Sequence, residues 1–153
     1  MRNTTKIEME IEIFQRIRKI KINKEFLKNK LIRLKKIINP PPKKVFVYLV
    51  NNRKIKLLNK EFLKKNGFTD VISFKYSKDF GELIISVEEC EKNAKIYSNT
   101  LEEELLYVII HGILHLKGYR DYNKKEREKM LSIQDEIFSV IMQNEKQKKF
   151  FFA

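Results

Sequence analysis

Hydrophobic and polar positions alternate along this chain with three different periods, and each period predicts a different element. Ile7-Glu8-Met9-Glu10-Ile11-Glu12-Ile13 alternates strictly, as a half-exposed strand does, and a further strand is expected over Ile17 to Ile22. From Lys24 to about Ile38, Phe26, Leu27, Leu31, Leu34 and Ile37 or Ile38 recur at helical spacing as a core-facing stripe, with Asn23 as the candidate cap. Lys28, Lys30, Lys35 and Lys36 coat much of the remainder of that helix. Pro40-Pro41-Pro42 stops it, because proline has no N–H to donate and clashes with the preceding turn. The unbroken apolar run Lys44 to Val50 that follows predicts a buried, central strand.

Asn51 to Leu63 predicts a helix with Ile55, Leu58 and Phe62 facing inward, and Gly67 breaks the pattern. Val71 to Phe74 and Leu83 to Val87 read as two strands paired in a hairpin through a connection containing Asp79 and Gly81. A helix over Glu88 to Tyr97 comes next. The last helix opens on a possible capping box, Asn123 to Glu126, and runs to about Gln143 with Met130, Ile133, Ile137, Val140 and Ile141 on one side.

The third pattern lies between them. From Leu105 to Leu116 only Tyr107, His111, Gly112 and His115 interrupt Leu, Val and Ile, and the apolar side chains point all round a helix, which predicts burial inside the protein. Thr100 and Glu103 form a capping box at its start, Glu102 to Glu104 put negative charge on the positive end of its dipole, and Gly118 supplies a left-handed end after Lys117. The order βαβαββααα gives the fold class: α+β, a small mixed sheet of about four strands, mostly parallel with one antiparallel strand, covered by helices around the central H-x-x-x-H helix. We expect one domain over residues 1–147 and a loose tail over 148–153.

Composition narrows the function. The chain of 153 residues is 42% hydrophobic, enough for a genuine core, and holds a single cysteine, Cys90, which cannot form an intramolecular disulfide and reads as a small buried residue. With no apolar run of roughly 20 residues and no apolar signal core, a soluble, cytoplasmic protein without a membrane partner is expected. The net charge of +13 is uneven, +15 over residues 1–65 and −2 over residues 66–153. A polyanion-binding face in the first half, beside a reaction centre in the second, would carry such asymmetry; so would a lysine-rich solvated surface.

The reaction centre is suggested by the two histidines. His111 and His115 project from one face of the apolar helix, one turn apart, so that two imidazoles can share a cation. Gly118 lets the chain reverse just beyond them, so that Asp121 can swing back as a third ligand. The competing reading is a pair of hydrogen-bonded core histidines. A zinc peptidase of the H-E-x-x-H type would need glutamate where this chain has Gly112.

The run His111-Gly-Ile-Leu-His115-Leu-Lys-Gly118-Tyr119 resembles the H-G-x-L-H-L-x-G-Y signature of the YbeY family, the zinc-dependent endoribonucleases of ribosomal RNA maturation. Leu58-Asn59, Phe62 and Thr69-Asp70-Val71-Ile72-Ser73-Phe74 follow the family's second motif, and Gly81-Glu82-Leu83-Ile84-Ile85 resembles its G-D-[IL]-x-I strand. The resemblance spans roughly residues 45–141; the first 40 residues are similar in pattern only. It implies one Zn2+ per chain on His111, His115 and Asp121, the last standing where the family usually has histidine. Thr69, Asp70 and Ser73 are possible cleft residues, with turn residues as the alternative. RNA, in particular ribosomal RNA and the ribosome, is the implied partner, and DNA is not expected. Lys28, Lys35, Lys36, Lys65 and Arg120 are the candidate RNA contacts. Leu63 stands where the family commonly has an arginine implicated in activity, and Lys65 lies close by. Two functions follow: a metal-dependent, single-strand-preferring endoribonuclease of ribosomal RNA maturation and ribosome quality control, or a non-catalytic ribosome-associated RNA-binding protein with a structural metal.

Overall fold

A computed structural model describes residues 9–63 and 69–143. Four strands, β1 (Glu10–Gln15), β2 (Lys44–Val50), β3 (Val71–Lys75) and β4 (Phe80–Ser86), form one sheet in the order β1-β2-β4-β3. β1 pairs parallel with β2 and β2 with β4, while β3 runs antiparallel along the edge. The five helices are α1 (Lys24–Ile37), α2 (Asn52–Leu63), α3 (Val87–Tyr97), α4 (Leu101–Leu116) and α5 (Lys124–Met142). This is the mixed, mostly parallel sheet that the pattern predicts, with the run Lys44–Val50 as an inner strand.

Alternation along the strands decides which helix lies on which face. Val45, Val47, Leu49, Leu83 and Ile85 point to the side where Leu27, Leu31 and Leu34 of α1, the apolar residues of α4 and Met130 and Ile141 of α5 close the main core. Val50, Ile72 and Ile84 point to the other side and meet Ile55 of α2 in a smaller cluster. The buried side chains of α4 run from Leu105 through Leu116 on every side of the helix, as expected of a helix wrapped by other elements. Cys90 is wholly buried in the main core, and burial pushes its thiol pKa up.

Several expectations need correction. Residues 17–22 form no strand; Ile17, Ile20 and Ile22 pack against the core from a loop, which Gln15 holds by donating its amide to the Ile17 and Ile20 carbonyls. Phe62 is 56% exposed rather than in the core, with its ring edge-on to that of Phe74 at 5.8 Å. Val140 is 45% exposed, and Gln134 and Phe138 occupy the inner face of α5 instead. Gly81 lies within β4 rather than in the hairpin connection. At Asn123 the side chain accepts from the Glu126 N–H, but Glu126 answers the Asn123 side-chain amide and not its backbone, so the box is incomplete. Gly67 and the tail 148–153 lie outside the described residues.

Candidate metal centre

The last turns of α4 are positioned by two glycines. A methyl group added at Gly112 would lie 2.7 Å from Leu83, and one at Gly81 would lie 2.5 Å from Leu116. Both distances are inside van der Waals contact, so a side chain at either position would have to displace the leucine it meets, and helix and strand approach closely there. The same turns carry His111 and His115, at 22% and 27% side-chain exposure.

Beyond His115 the chain reverses through a complete Schellman turn. The Tyr119 N–H donates to the Leu114 carbonyl and the Gly118 N–H to the His115 carbonyl, each at 3.0 Å, with Gly118 at φ +100°. The turn has two chemical consequences. It presents the Tyr119 carbonyl to His115 Nδ1 at 3.0 Å, and it brings the Asp121 carboxylate back to 3.6 Å from His115 Nε2 and 3.9 Å from His111 Nε2.

The hydrogen bonds behind the imidazoles fix which nitrogen is bare. A backbone carbonyl can only accept, so His115 must carry its proton on Nδ1. His111 Nδ1 lies 2.9 Å from Gln134 Oε1, and the Gln134 amide nitrogen is committed to the Tyr107 carbonyl at 3.0 Å, so that oxygen accepts as well. With a proton fixed on each Nδ1, the neutral form of each ring turns an Nε2 lone pair inward, and the two nitrogens stand 3.1 Å apart. With an Asp121 carboxylate oxygen they form a group whose ligand atoms all lie within 4.8 Å of one another. Three acceptors converge and no donor lies among them, so a cation satisfies all three; two imidazoles and a carboxylate are a donor set that zinc accepts. These residues could hold a metal ion.

Of the other candidates, Asp70 lines a cavity of about 190 Å³ with His111, Gln134, Tyr107 and Glu104. Burial raises the carboxyl pKa of both Asp70 and Glu104. Ser73 is half-buried with no hydrogen-bond partner for its hydroxyl, and Thr69 is half-buried ahead of β3; neither lines that cavity. Arg120 is exposed, 5.7 Å from the centre of the Tyr122 ring. Lys35 and Lys36 line an open groove at the end of α1, Lys28 is exposed but does not line it, and Lys65 falls outside the described residues. Leu63, at the end of α2, is 43% exposed. Sequence reasoning missed Gln134, although a polar residue one turn after Met130, in the buried row of α5, was a usable signal.

A mostly parallel sheet under a buried H-x-x-x-H helix, followed by a turn that returns a carboxylate to both histidines, defines an α+β protein with three side chains that could hold a cation. The model of the Endoribonuclease YbeY family matches residues 2–142, and this chain belongs to that family. An Endoribonuclease YbeY of Fusobacterium nucleatum is 37% identical over 72% of this chain and 74% of its own length. That of Endomicrobium trichonymphae is 42% identical over 61% of this chain and 67% of its own length. A solution structure of a Thermotoga maritima protein has the same fold, with a TM-score of 0.61 at 36% identity over 86% of this chain and 88% of that one. The family match extends through the N-terminal segment, where the motifs themselves gave only a pattern.

Proposed function

We propose that this chain is a metal-dependent endoribonuclease with a preference for single strands, acting on ribosomal RNA in maturation and ribosome quality control in the cytoplasm. The observation that carries the reading is the convergence of His111 Nε2, His115 Nε2 and an Asp121 oxygen, with both Nδ1 protons already committed to acceptors behind them. One Zn2+ per chain is the best match, because three N and O ligands leave tetrahedral zinc an open position. When bound there, the ion supplies a Lewis acid for phosphoryl oxygens and acidifies water.

The chain's own residues supply the rest. Gln134 and the Tyr119 carbonyl orient the imidazoles. Asp70, in the cavity beside His111 and raised in pKa by burial, can take and return a proton at its carboxylate nearer to neutral pH than an exposed aspartate. Thr69 and Ser73, on the segment that leads into and forms β3, are the remaining candidates for the substrate cleft. Lys28, Lys35, Lys36 and Arg120 are available for phosphate contacts, which hold a strand without reading its sequence. A peptidase is disfavoured: the position next to His111 is Gly112, buried against Leu83, where no glutamate could serve as base.

A second reading, a non-catalytic ribosome-associated protein, is favoured by one observation, the apolar Leu63 where the resemblance calls for arginine. One assay separates the two. Wild-type protein should cut a structured RNA within its single-stranded segments, lose that activity to a chelator, regain it with Zn2+, and lose it in His115→Ala. Cutting that persists in both the chelator and His115→Ala would sink the metal-dependent reading. Tight RNA binding without any cutting would establish the second.

A further inference from the structure

A second concavity lies away from the histidines' own cavity. It is an open groove of about 1180 Å³ between the end of α1, the Pro40–Pro42 turn, the tip of the β3–β4 hairpin and the end of α4. We propose that this groove seats one unpaired RNA strand flanking the cleavage site, with its phosphates on the lysine rim and its bases on an apolar floor. The inference rests on the endoribonuclease reading and names how that substrate is held.

Charge is the first argument. Lys35, Lys36, Lys43, Lys75, Lys78 and Lys117 all line the groove, against a single carboxylate, Asp79, which is 3.7 Å from Lys43. So many like charges around one concavity repel each other, and a polyanion relieves that repulsion by releasing its counterions. Three of these lysines come from residues 1–65 and three from residues 66–153, so the fold assembles a basic surface that neither half holds alone.

The floor is the second argument, and it selects the form of RNA. Ile32, 46% exposed, lines the groove together with Pro41 and Leu116. A duplex offers such a surface only sugars and phosphates, whereas a single strand can lay the apolar faces of its unstacked bases against it. Position is the third. Leu116 and Lys117 directly follow His115, and Lys75 ends the strand that carries Ser73, so a strand in the groove runs up to the last turn of the helix that carries the cation ligands. Lys117 is already tethered there, donating its ammonium to the Pro40 carbonyl at 2.8 Å.

The test is fluorescence anisotropy on the full chain, with a labelled single-stranded 12-nucleotide RNA and a hairpin duplex of equal phosphate count. In Lys43→Gln/Lys75→Gln/Lys78→Gln, affinity for the single strand should fall at least tenfold at low salt. The slope of log affinity against log salt should become shallower by about 2, as expected for three lost contacts to a single strand. Ile32→Ser should weaken the single strand and leave the slope alone. These lysines are exposed, so circular dichroism and zinc content should match wild type. Because binding is read directly, the outcome stands whether or not the strand is cut. An unchanged slope and affinity in the triple variant would overturn the proposal. Equal losses for strand and hairpin would also overturn it, leaving a general polyanion patch.

Discussion

At the scale of single residues, the three side chains that the fold brings together, His111, His115 and Asp121, were legible and their supports were not. His111 and His115 are the chain's only histidines and share a helix face, so spacing alone pairs them. Asp121 followed from the reversal at Gly118. Gln134 has no such signature: it sits among apolar residues of α5 and is 2% exposed, and only the fold brings it to His111. Its role is testable. Gln134→Leu keeps a side chain of similar size but removes the acceptor that fixes the His111 ring, and metal affinity should drop roughly 10- to 100-fold, as for other lost partners of metal-bound histidine. Gln134→Glu retains an acceptor and should bind far better than the leucine variant. Competition against a chromophoric chelator measures both, and wild-type affinity in Gln134→Leu would mean that the ring needs no such partner.

At the scale of elements, caps and breaks were readable because their chemistry is local. The Thr100–Glu103 box forms in full, with the Thr100 N–H donating to the Glu103 carboxylate at 2.8 Å and the Glu103 N–H to the Thr100 hydroxyl at 3.1 Å. Gly118 ends the helix as its residue type requires. What escaped was anything set by a distant element. Phe62 has the spacing of a core residue yet is more than half exposed, and Gly81 reads as a turn residue although it lies in β4 against Leu116. Gly112 and Gly81 together set the distance between α4 and β4. Gly112→Ala would force its methyl group into Leu83, which is fully buried, and should cost about 1–3 kcal/mol, the usual penalty for overpacking a core. Urea unfolding followed by far-UV circular dichroism reads that cost. A variant as stable as wild type would show that helix and strand can part without penalty, and the rigid placement of the histidines would lose its basis.

At the scale of the whole molecule, the order of elements was open to reading because each strand and helix declares its period, and the single antiparallel strand follows from the short link between β3 and β4. The charge asymmetry along the sequence gave a less complete picture. It put the basic surface in the first half, whereas the folded chain gathers lysines from both halves around one groove beside the last turn of α4. The account of function depends on one claim, that His111, His115 and Asp121 together hold a cation. The direct measurement is metal content per chain after incubation with equimolar zinc and removal of the excess, for wild type, His115→Ala and Asp121→Ala. The account predicts about one zinc in wild type, as a set of three protein ligands should retain, and substantially less in both variants with secondary structure preserved. No zinc in the wild-type protein would contradict it, as would an Asp121→Ala protein that keeps a full complement of zinc at unchanged affinity.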